Sequence, residues 1–150
     1  MKKNNPVRIL LVEDNPDHAE IAVRVLEGTA PVEKIDVVTD GEQALDYLYG
    51  KGDFSGSNKP KSPAIILLDI KLPKIDGIEV LRNIKNDDVL KKIPVVILTT
   101  SESDKDVASA YAEGANSYIA KPVSYQKLVD KLIDLGFYWT ETNILPGEDE

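Results

Sequence analysis

Short blocks of consecutive apolar residues alternate with longer stretches in which apolar positions recur every three or four residues. "VRILLV" (residues 7–12) is mostly apolar and partly β-branched, the pattern of a short buried strand. The turn signal "EDNP" follows, with Pro16 suited to a helix's first turn. Ala19, Ala22, Val23 and Leu26 then fall at i, i+3, i+4 and i+7, one face of a helix expected to end near Gly28. The rhythm repeats. A strand is expected over 34–39, then a helix capped by Asp40 with Ala44, Leu45 and Leu48 inward. The third strand covers 64–68, before a helix carrying Ile78, Val80, Leu81 and Ile84. The fourth covers 94–98, before a helix capped by Ser103 and stopped before Gly114. The fifth covers 117–120, before a helix with Leu128, Val129, Leu132 and Ile133 on one face.

Five alternating strand–helix units predict a parallel sheet with helices on both sides and right-handed crossovers. Strands three and four are uniformly apolar, as strands covered on both faces are. Five units suit an open doubly wound α/β sheet better than an eight-fold barrel. The chain of 150 residues reads as one domain, with a core over about 7–135 and a tail over 136–150. "KGDFSGSNKPKSP" (51–63) is a long loop, either a tolerated surface insertion or a partner contact.

Composition narrows the classes. The chain is 42% hydrophobic, enough for a core of this size. Cysteine is absent, which excludes disulfides and thiolate metal sites. A net charge of −8 argues against nucleic acid and against anionic membranes as partners. No apolar run approaches the ~18 residues of a membrane span, and Glu13 and Asp14 stop the first one too early for a signal peptide. The expectation is a cytoplasmic protein.

In open α/β sheets, sites form outside the carboxyl ends of the strands. Glu13 and Asp14 follow strand one, Asp69 follows strand three, Thr99 and Thr100 follow strand four, and Lys121 follows strand five. Asp69 directly after five apolar residues is explained if it ends its strand at that face. Converging carboxylates repel, and a hard divalent cation such as Mg²⁺ relieves the repulsion. Lys121 offers a fixed positive charge to a phosphoryl oxygen, and the Thr99 hydroxyl offers a donor. Each residue alone also has an ordinary reading: Asp14 as a helix cap, Glu13 as a loop charge, Lys121 as a strand-end lysine, Thr99 as a capping or packing residue. His18, the only histidine, reads as a surface residue. The matching chemistry at four strand ends favours a site.

"ILLVEDN", "ILLDIKLPKIDG", "PVVILTTS" and "GANSYIAKP" occur in this order, with Thr99 and Lys121 lying 30 and 52 residues after Asp69. In these motifs the chain resembles the receiver domain of two-component response regulators, over roughly residues 7–135. The long loop and the tail "FYWTETNILP" look like stand-alone regulators associated with phytochromes. The resemblance implies a flavodoxin-like five-stranded sheet of order 2-1-3-4-5. It implies that Asp69 accepts a phosphoryl group from a phosphohistidine of a sensor histidine kinase or of a phosphotransfer protein, and the likeness to the stand-alone regulators points to a phytochrome-like kinase. It further implies Mg²⁺ held by Glu13, Asp14, Asp69 and the Lys71 carbonyl, Lys121 and Thr99 on the phosphoryl group, and Tyr118 changing rotamer with Thr99.

Two other classes compete. An aspartyl-nucleophile phosphohydrolase resembles a pattern with a second Asp two residues after the first, where this chain has Lys71. A degenerate scaffold receiver would not keep Glu13, Asp14, Asp69, Thr99 and Lys121 together. Beyond residue 135 nothing is long enough for an output domain, so output by protein contact is expected. Phe137, Tyr138 and Trp139 are candidates for a homodimer interface, with packing against the chain's own core as the alternative.

Overall fold

The structure, a computed structural model, describes residues 6–147. The last three residues of the expected tail, 148–150, lie outside the described residues. Five parallel strands, β1 (Val7–Val12), β2 (Val32–Val38), β3 (Ile65–Leu68), β4 (Val95–Thr99) and β5 (Ser117–Ala120), lie in the order β2-β1-β3-β4-β5. Between and after them run α1 (Pro16–Thr29), α2 (Gly41–Tyr49), α3 (Gly77–Lys85), α4 (Asp104–Ala112) and α5 (Tyr125–Phe137). This is the flavodoxin-like doubly wound sheet that the alternation and the resemblance led us to expect.

Alternation within each strand builds two cores. Leu10, Val12, Ile66, Leu68, Val95 and Ile97 point to one face and pack with Ala44 and Tyr47 of α2, Val80, Leu81 and Ile84 of α3, and Ala110 of α4. Their neighbours Ile9, Leu11, Ile65, Leu67, Val96 and Leu98 point to the other, against Ala22 and Leu26 of α1 and Leu128, Leu132 and Leu135 of α5. β1, β3 and β4 are covered on both sides, which explains their nearly continuous apolar sequence.

The helix starts follow local chemistry. Asp40 caps α2 by accepting from Gln43 N (2.8 Å), and Ser103 caps α4 by accepting from Asp106 N (3.1 Å), both as expected. α1 is capped by Asn15, whose Oδ1 accepts from Asp17 N and His18 N, so Asp14 is free of the capping role. β2 begins at Val32, earlier than position 34, because Val32 pairs with Val7 across a register shift. The loop after α2 is not featureless. It forms two short 3₁₀ turns, and Phe54 packs edge-on against Tyr47 with ring centroids 5.2 Å apart.

The interface candidates divide. Phe137 and Tyr138 are 59% and 48% exposed, but Trp139 is only 8% exposed and joins the α1–α5 core. The expectation of Trp139 as an interface residue is corrected here. α5 continues into a π-helical turn (Tyr138–Thr142) that buries Trp139 and Thr140, and the Thr140 hydroxyl donates to Gly136 O (2.6 Å).

Candidate functional site

The carboxyl ends of β1, β3, β4 and β5 bring the acidic and basic groups to one end of the sheet. β1 pairs with β3 through Val12 and Leu68, so Glu13 and Asp69 leave adjacent strands at the same level. Asp69 N donates to Val12 O (3.1 Å) and fixes that exit. Gly77 lies directly behind it: a Cβ there would sit 2.1 Å from Asp69 O, so only glycine lets α3 start so close. Glu13, Asp14 and Asp69 each offer a carboxylate oxygen, all within 4.8 Å of one another. Glu13 and Asp69 are buried, and Asp14 is exposed.

Lys121, at the end of β5, reaches into this cluster with its side chain 2% exposed. Its ammonium donates to Glu13 Oε1 and to Asp69 Oδ2 (3.2 Å). Burial pushes the Glu13 carboxyl above its ordinary range, against the pull of the Lys121 hydrogen bond and charge. Two buried carboxylates and one buried ammonium, with a third carboxylate at the rim, leave excess negative charge. Hard oxygen donors of this kind suit a divalent cation.

Thr99 and Tyr118 meet on the segment after β4. Thr99 is fully buried, and its Oγ1 accepts from Ser101 N (3.4 Å). The Tyr118 hydroxyl donates to Ser101 O (2.9 Å). One residue therefore links both side chains. Lys71 N donates to Asp69 Oδ1 (3.3 Å), while its ammonium lies in solvent, 3.7 Å from Asp106 Oδ2.

His18 departs from expectation. It is partly buried in the first turn of α1, with Nδ1 3.0 Å from Lys121 Nζ. The available signal was positional: a helix that opens at the carboxyl end of β1 aims its first turn at the site.

Residues 9–133 match the family model for the response regulator receiver domain. The chain belongs to the response regulator receiver family. A relative, the probable methanogenesis regulatory protein FilR2 of Methanothrix harundinacea, is 42% identical over 147 residues, which cover 98% of this chain and 92% of that protein. Response regulator Rcp1 of Synechocystis is 37% identical over 146 residues, 97% of each chain. The Mn²⁺-bound form of Rcp1 superposes with a TM-score of 0.87 at 38% identity, covering 95% of this chain and all of that one. The phosphorylated cyanobacterial phytochrome response regulator RcpA gives 0.88 at 35% identity, covering 95% and 99%. This receiver is a phosphorylation-dependent signalling switch of a two-component system, with a histidine kinase upstream. Among the described residues, no helix is long and apolar enough to cross a membrane.

Proposed function

We propose that Asp69 is the residue phosphorylated in this receiver. The observation that carries the reading is the convergence of Asp69, Glu13, Asp14 and Lys121 at the carboxyl ends of three strands. An Asp69 carboxylate oxygen attacks the phosphorus of the kinase phosphohistidine. The P–N bond breaks, its electron pair stays on the imidazole nitrogen, and an acyl phosphate forms on Asp69. Attack of one anion on another is slow without charge neutralisation, so positioning and electrostatics carry the rate. Lys121 pairs with a phosphoryl oxygen, and the Thr99 hydroxyl donates to another. Water later hydrolyses the acyl phosphate in the same site, so the only reactions the chain promotes are its own.

Glu13, Asp14 and Asp69, with the Lys71 carbonyl, would hold the metal, and Mg²⁺ suits their hard oxygen donors. When bound it supplies charge neutralisation at the phosphoryl oxygens. The phosphoryl group adds charge and three acceptor oxygens beside Thr99. Thr99 is drawn away from Ser101 N, and Tyr118, which holds the same residue through its carbonyl, changes rotamer. That couples Asp69 to α4 and β5.

The likeness to Rcp1 and RcpA supports a phytochrome-like sensor kinase as the donor. We infer that the chain works in the cytoplasm, alongside the kinase that donates its phosphoryl group. We read residues 1–150 as a single receiver that signals by protein contact, and as a homodimer. Phe137 and Tyr138, with Ile144 at 87% exposure, supply its exposed apolar surface. Phosphoramidate with Mg²⁺ tests the central point: intact mass should show one added phosphate, lost in Asp69→Asn.

A further inference from the structure

We propose that His18 is a positioning residue that orients Lys121 through its neutral ring nitrogen Nδ1. The inference rests on the reading in which Lys121 pairs with the phosphoryl group of Asp69. An ammonium has three N–H donors and no acceptor. Around Lys121 Nζ stand three acceptors: Glu13 Oε1, Asp69 Oδ2 at 3.2 Å and His18 Nδ1 at 3.0 Å. Each donor therefore has one partner. Because the ammonium cannot accept, the His18 contact is a hydrogen bond only when Nδ1 carries its lone pair. That places the ring proton on Nε2.

The chain builds this contact from a short closed circuit. Asn15 N donates to Glu13 Oε2 (3.1 Å), and Asn15 Oδ1 accepts from His18 N (3.1 Å). His18 Nδ1 then takes the Lys121 ammonium, which returns to Glu13 through its other oxygen. The cap that starts α1 thus also sets the imidazole over the lysine. His18 differs from the other two acceptors in charge. A hard divalent cation that enters the cluster takes the carboxylate oxygens of Glu13 and Asp69 in preference to an imidazole nitrogen. His18 is therefore the acceptor that holds Lys121 in place while its carboxylate partners change. Without it a buried N–H loses its partner, and the ammonium is free to swing within the cluster.

The test compares parent with His18→Asn, His18→Gln and His18→Leu, using phosphoramidate, Mg²⁺ and intact mass. Asn places an acceptor at the same bond count from Cβ as Nδ1, whereas Gln places it one bond further out. The expected result is a rate constant at saturating donor about tenfold lower in the Leu and Gln variants, with Asn close to parent. A second readout needs no phosphorylation: the ¹⁵N resonance of His18 Nδ1 in metal-free protein should move on Lys121→Ala. A parent that is phosphorylated while His18→Leu keeps pace overturns the inference, as do equal losses in the Asn and Leu variants or an unmoved Nδ1. A parent that takes up no phosphate overturns the Asp69 reading and this one with it.

Discussion

Replacing Lys121 with Met removes the ammonium and keeps most of the side chain's length. The parent holds Lys121 and Glu13 with side chains 2% and 3% exposed, and Asp69 at 9%. Breaking a buried pair from one side costs about 3–5 kcal/mol, because the remaining charge has no partner. Asp14, exposed at the rim, opens the cluster to water on one side, so the lower end, about 3 kcal/mol, is expected. In a domain of total stability about 5–15 kcal/mol, that is a large fraction. The pH dependence has a definite sign. Glu13 already titrates above the ordinary 4.5 through burial, and losing Lys121 raises it further. Between 4.5 and its folded value the unfolded chain gives up that proton first, so stability falls as pH rises through the window. The variant's deficit against parent should therefore be largest above the window and shrink on acidification. A divalent ion should return part of it, about 2.7 kcal/mol at a hundredfold excess over its dissociation constant. Urea unfolding with EDTA and with Mg²⁺, at several pH values, measures all three. A loss below about 1 kcal/mol in EDTA, independent of pH, would refute the reasoning.

Trp139→Ala should cost about 3–5 kcal/mol in urea unfolding, the usual range for a buried tryptophan, and an unchanged midpoint would contradict its place in the core. Tyr47→Phe removes the hydroxyl that donates to Asp36 (2.6 Å) and should lose about 1.5–3 kcal/mol at neutral pH. Burial and Asp36 raise the Tyr47 hydroxyl above the ordinary 10, so the unfolded chain ionises first and the parent should weaken as pH climbs past 10. The Phe variant should lack that alkaline decline in a pH series of melts. Sedimentation equilibrium should show a parent dimer that Phe137→Ser with Tyr138→Ser shifts to monomer, and a parent that stays monomeric would exclude the dimer.

The residues that made the fold legible are those in β1, β3 and β4. Runs such as Ile65–Leu68 bury both faces, so their apolar sequence needs no partner to be read. β2 was less legible because it is an edge strand, with Glu33 and Lys34 exposed and its start set by pairing with Val7. The acidic site was legible because strand ends share one face of such a sheet. His18 was not, since its partner lies 103 residues away and only its place in the first turn of a helix opening at the carboxyl end of β1 hinted at the contact. Trp139 failed for a related reason. Its inward turn depends on the π-helical winding and on Gly136, where a Cβ would stand 3.0 Å from Leu26 and 3.3 Å from Ala30. That close approach of α5 to α1 carries no local periodicity.

The most direct measurement is intact mass of parent and Asp69→Asn after incubation with phosphoramidate, with and without Mg²⁺. The account predicts one added phosphate on the parent, dependent on the divalent ion, and none on the variant, whose amide is a poor nucleophile and brings no charge to the site. Phosphate uptake by Asp69→Asn at the parent's rate would contradict it.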